Sequence, residues 1–122
     1  MVPTPDPYAP AGFEIMLRDY FPHGHPDFIP QLINLMELHS RKNHGYARGG
    51  PPLGNFERVA KIRALYPNLD NSHPAVIAIV YMLKQLDAAL WQMNGGYEDE
   101  TEGTDQRWGD VEVYAGLIRI ML

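Results

Sequence analysis

Lys84 and Asp87 sit three residues apart inside residues 73–91, the longest apolar run of the chain. At that spacing a lysine and an aspartate share one helical face, where they can neutralise each other, grip a phosphate, or combine phosphate and metal binding. At about 100° per residue, Ile77, Val80, Leu83, Leu90 and Trp91 fall on one side of this helix and Gln85, Ala89 and Gln92 on the other. Lys84 and Asp87 lie in the middle of the apolar side. A charge buried there needs a partner or a ligand, because an unpaired one costs several kcal/mol or titrates to its neutral form.

Other helices place polar residues at interior phase as well. His39 and Asn43 continue the stripe of Ile29, Leu32, Ile33 and Met36, and Asn55 lies on the stripe of Val59, Ile62 and Tyr66, as a helix N-cap or as a ligand contact. Arg58 lies on a flank of that segment, while Glu57, Lys61 and Ala64 face away. Near the end of the chain Asp110, Tyr114, Leu117 and Met121 share a face, with Arg107 one turn earlier and Glu112 and Arg119 opposite. Four helices with polar interior positions point to a polar pocket inside a helical bundle. The competing reading is a buried ion-pair network, Lys84 with Asp110 or Arg107 with Asp87, that fixes helix register without any ligand.

The elements that must position these residues read as helices throughout. Periodicity and stop signals predict helices over 12–21, from 26 or 27 to 43, over 55–66, from 74 to a glycine stop near 94–96, and from 104 or 105 to the C-terminus. Asn71, Ser72 or His73 caps the central helix, with Pro74 in its first turn. Residues 45–54 read as a glycine-rich loop without the Gly-Lys-Ser/Thr of a phosphate loop, and the acidic residues 97–103 as a solvated loop. His23 and His25 fall in a turn without neighbouring carboxylates, so they read as solvent-facing rather than as a metal pair.

Composition narrows the function classes. The 122 residues suit one all-α domain over 11–122, preceded by an extended arm over 1–10 that carries four prolines. Without cysteine there is no disulfide framework, thiolate nucleophile or thiolate metal site. A net charge of −5 argues against an extended nucleic-acid surface, although a nucleotide needs only a local positive spot. The apolar runs read as shorter than the roughly 18 to 20 residues of a membrane span. The N-terminus lacks the pattern of a signal peptide, so the expectation is a cytoplasmic protein with no membrane partner.

Four short motifs, Arg41-Lys-Asn-His-Gly-Tyr46, Asn55-Phe-Glu-Arg-Val-Ala60, Tyr81-Met-Leu-Lys-Gln-Leu-Asp87 and Gly109-Asp-Val-Glu-Val-Tyr114, occur in this order. Together they resemble a phage-associated family related to the all-α, MazG-like nucleotide pyrophosphohydrolases, over about residues 35–122. The resemblance implies a bundle of four to five helices that forms a homodimer and binds a nucleoside triphosphate, with Mg2+ or Mn2+ held by acids on facing helices. Its hydrolases carry a Glu-x-x-Glu helix followed by a Glu-x-x-Asp helix; here Lys84 and Asp87 stand on the first and Arg107 replaces the Glu of the second, leaving two carboxylates. On this reading Asp87 and Asp110 are the metal ligands and catalytic acids. Lys84, Arg58 and Arg107 contact phosphates, Asn55 and Tyr114 orient the base or sugar, and His39 and Asn43 line the pocket. The expected activity is nucleotide binding, with release of pyrophosphate if a metal-bound water attacks. The alternatives are a module that binds or sequesters nucleotides without cutting them, and a phage protein acting on a host component through its arm.

Overall fold

The computed structural model describes residues 10–122, so the expected extended arm lies, apart from Pro10, outside the described residues. Among those residues the chain is all-helical: α1 (Pro10–Tyr20), α2 (Phe28–Ala47), α3 (Gly54–Ala64), α4 (Pro74–Gly95) and α5 (Thr104–Met121). It divides within α2 into two compact units, one ending at Arg41 and one spanning Lys42–Leu122. Between Gly12 and Gly45 no residue is buried, which leaves the middle of α2 without a core of its own.

In the first unit α1 and most of α2 are joined by a turn. Arg18 donates to the Pro26 carbonyl and pairs with Glu14 one turn away. His25 Nδ1 accepts from the Asp27 amide at 3.1 Å.

The second unit is built on α4, which packs most extensively against α5 and next against α3. Its ends follow local rules. His73 is the N-cap, its side chain accepting from the Ala75 amide, and Pro74 opens the first turn. Gly96 closes the helix in the left-handed conformation at φ 67°, where a side chain would be strained. α5 lacks a side-chain cap at Gly103; the Glu98 carboxylate substitutes for it, accepting from the Thr104 amide at 2.7 Å and from its hydroxyl at 2.6 Å. At the end of α3, Arg63 donates to the carbonyls of Tyr66 and Leu69 and to the Asn71 side chain.

Two expectations about α4 are corrected. At 22 residues it is long and apolar enough to cross a bilayer by length and composition, so the run is not too short for a span. Its buried face is also only in part the one the apolar phase selects: Asp87 is buried as that phase has it, but so are Gln85, Ala89 and Gln92 from the other side, whereas Ile77, Lys84 and Leu90 are exposed. A helix apolar on every side carries little phase information. The small Ala88 and Ala89 admit a close neighbour, and the buried glutamines are held by polar partners.

Candidate functional site

Two polar clusters cross the second unit. In the first, α3 meets α4 through Asp87, whose side chain is 9% exposed. Arg58 donates Nε to Asp87 Oδ1 and Nη2 to Oδ2, both at 2.8 Å, the parallel fork that a guanidinium and a carboxylate form. Asn55 adds a third hydrogen bond, Nδ2 to Oδ2 at 2.9 Å, and also reaches the Lys84 carbonyl at 3.2 Å. The guanidinium of Arg58 lies 4.0 Å from the centroid of the Trp91 ring, one turn past Asp87 on α4. Gly54 leaves the room: a Cβ there would lie 2.8 Å from Arg58 Nη1.

In the second cluster Arg107 of α5 is wholly enclosed. It donates Nη2 to Asp99 Oδ2 at 3.0 Å and Nη1 to Gln85 Oε1 at 3.1 Å, with Glu102 Oε2 3.0 Å from Nη1. Its guanidinium packs 4.5 Å from the centroid of Tyr46. Two acids against one arginine satisfy the charge of a group that could not be buried alone. The 97–103 segment, expected to be solvated, is therefore stapled inward. Asp99 is 7% exposed, Gln92 holds the Glu102 carbonyl, and Tyr97 donates its hydroxyl to the Gly45 carbonyl.

Burial pushes the Tyr97 phenol above its ordinary range, although Arg48, 4.3 Å from its ring centroid, pulls the other way. The hydrogen bonds from Thr104 hold Glu98 below the usual carboxylate value.

The same contacts explain Gly45 and Gly50. α2 continues to Ala47, four residues beyond the expected end. A Cβ on Gly45 would overlap the Asp99 carboxylate, and one on Gly50 would come within 2.5 Å of the Trp91 ring. These glycines admit neighbouring side chains rather than a phosphate.

The expected site residues thus separate. Asn55, Arg58 and Asp87 come together, as a structural clasp in which both oxygens of Asp87 are occupied. Arg107, expected at a phosphate, is enclosed and paired with Asp99 and Glu102. A buried ion-pair network does exist, but neither anticipated pairing forms, since Asp87 takes Arg58 and Arg107 takes the acids of the loop. Asn55 is not an N-cap, because α3 starts after Leu53 and the Asn55 amide points to α4. Asn43 donates to the Pro52 carbonyl and fixes the loop between α2 and α3. His39 is exposed and belongs to the first unit. Asp110 is half-buried with no ion-pair partner among the described residues. It lies on α5 between two crossings with α4, Arg107 on Gln85 and Tyr114 edge-on to Tyr81 at 6.1 Å. Among the described residues no group of three or more histidines or acids could hold a metal.

Lys84 is exposed, and no carboxylate lies within ion-pair distance of it among the described residues. Its amine stands 5.3 Å from the Tyr46 ring centroid. It also lines a groove of about 380 Å³ between α3 and α4, walled by Phe56, Val59, Val80 and Tyr81, with Asn55 and Arg63 also on its lining. Phe56 and Tyr81 present 69% and 56% of their surface to solvent. Sequence reasoning missed Asp99, Glu102 and Gln85; the only signal for Asp99 was its place in an acidic run, which reads as solvated. Comparison of the chain with protein-family models, with curated proteins and with solved structures finds no match.

Proposed function

We propose that the unit from Lys42 to Leu122 is a MazG-like module that binds a nucleotide in the α3–α4 groove and holds it without cutting it. The observation that carries this reading is Lys84: an exposed residue without a carboxylate partner among the described residues, lining a groove whose walls expose Phe56 and Tyr81. An aromatic wall stacks a base, worth about 1–3 kcal/mol, and a lysine beside it neutralises a phosphate. Magnesium-dependent hydrolysis fits less well, because Mg2+ needs free oxygen ligands and both oxygens of Asp87 are engaged by Arg58 and Asn55. The setting is the cytoplasm, where nucleotides are abundant.

A second reading, hydrolysis with the metal held chiefly by substrate oxygens, is favoured by the uncommitted carboxylate of Asp110. Incubation with each common nucleoside triphosphate plus Mg2+ or Mn2+, followed by chromatography, separates the two. Binding reads as saturable heat in calorimetry without product, lost in Lys84→Met, which stays folded because the side chain is exposed. Product that disappears in Asp110→Asn supports hydrolysis. Neither heat nor product with any nucleotide sinks both.

A further inference from the structure

The two polar clusters converge on neighbouring residues of α4. The Lys84 carbonyl accepts from Asn55 of the first cluster at 3.2 Å, and the Gln85 side chain accepts from Arg107 of the second at 3.1 Å. The backbone that carries the Lys84 side chain is therefore pinned from α3 and from α5. A lysine stem is long and rich in rotamers, so a fixed backbone alone leaves its amine unplaced.

Tyr46, in the last turn of α2, supplies what the backbone does not. The Lys84 amine stands over its ring 5.3 Å from the centroid, inside the roughly 6 Å over which a ring face attracts a cation. The ring itself is seated from within the unit: Arg107, wholly enclosed, packs over it at 4.5 Å and is in turn fixed by Asp99, Glu102 and Gln85. Tyr46 thus serves a buried cation and an exposed one with the same ring. Its hydroxyl meets Glu102 at 3.5 Å, the outer limit of a hydrogen bond, which leaves the ring as the part that matters.

We infer that Tyr46 is a positioning residue of the ligand site: its ring holds the Lys84 amine in place before any ligand arrives, and the buried Arg107 network is the seat of that ring. The inference rests on the reading of Lys84 as the residue that meets a phosphate. Arg107 backs Tyr46, and Tyr46 backs Lys84. An amine already held loses less freedom when the phosphate binds.

The test compares Tyr46→Leu, which removes the ring, with Tyr46→Phe, which keeps it. In the ligand-free, unaltered chain, proton NMR should show nuclear Overhauser contacts between the ε-methylene of Lys84 and the Tyr46 ring. Calorimetry with adenosine and guanosine triphosphates in the presence of a chelator should give a Kd that Tyr46→Leu raises about two- to fivefold and Tyr46→Phe leaves unchanged. Because the contact is read in the unaltered chain, it decides even where Tyr46→Leu, which also takes the ring from Arg107, loosens the fold. Absence of the contact, or a Kd that Tyr46→Leu leaves unmoved or lowers, overturns the proposal. No heat with either nucleotide in a chain that shows the contact removes the nucleotide reading and leaves the hold of Tyr46 on the amine standing.

Discussion

Replacing Asp87 with alanine isolates the clasp between α3 and α4. The substitution removes a carboxylate that accepts three hydrogen bonds, at 2.8, 2.8 and 2.9 Å, and leaves Arg58 and the Asn55 amide without their shared acceptor. Breaking a buried pair by deleting one partner costs about 3–5 kcal/mol. Arg58 moderates that figure, because its side chain is 28% exposed and can rehydrate while keeping its stack on Trp91. The expected loss is thus near the lower bound, about 3 kcal/mol. Urea unfolding at one fixed protomer concentration measures it, as a lowered midpoint with unchanged slope. A cycle with Arg58→Met and the double variant should return a coupling of about 2 kcal/mol. If Asp87 were instead a metal ligand facing other acids, Asp87→Asn in metal-free buffer would leave stability unchanged or raise it. A loss below about 0.5 kcal/mol with additive single effects refutes the clasp.

Arg107→Met strands Asp99 beside the wholly enclosed space the arginine filled, so urea unfolding should show a loss of about 3–5 kcal/mol. Gly45→Ala forces the Asp99 carboxylate away from Arg107 and should cost about 1–3 kcal/mol by thermal unfolding, despite alanine's better helix propensity. Stability should also fall on the acid side. Glu98 and Asp70 are held below their usual values of 4.5 and 3.8 by hydrogen bonds from Thr104 and Ser72, so their contributions are present above those values. Each is lost as pH drops through the lower folded-state value, and Glu98→Gln should flatten the acid limb of a urea-midpoint profile. At the alkaline end, Tyr97 has its phenol raised above 10, so its contribution is present below pH 10 and disappears as pH rises through the folded value; Tyr97→Phe should flatten that limb.

How legible a face was depended on how mixed its helix is. On α5, charged and apolar residues alternate strongly enough that the phase placed Arg107, Asp110, Tyr114 and Met121 inward and Glu112 and Arg119 outward, as the structure has them, with Leu117 alone left exposed. α3 likewise exposes Glu57, Lys61 and Ala64 and buries Asn55. α4 defeated the same reasoning because apolar residues surround it, and its burial is decided by what Arg107 and Glu102 offer to Gln85 and Gln92. The partner of Arg107 was out of reach for another reason. Asp99 lies in an acidic run whose local pattern favours water, and only the return of 97–102 onto Gly45 encloses it. Arg58 was placed on a flank, which is the position from which it reaches Asp87.

The central claim is that Lys84 serves a ligand while Asp87 serves the fold. A titration of the isotopically labelled chain with adenosine and guanosine nucleotides in the presence of a chelator, followed by two-dimensional amide NMR, tests it most directly. Saturable shifts confined to residues 55–63 and 80–84, absent in Lys84→Met while that variant's spectrum stays folded, are the expected result. Shifts centred on Asp110 that require a divalent metal, or no shifts with any nucleotide, would contradict it.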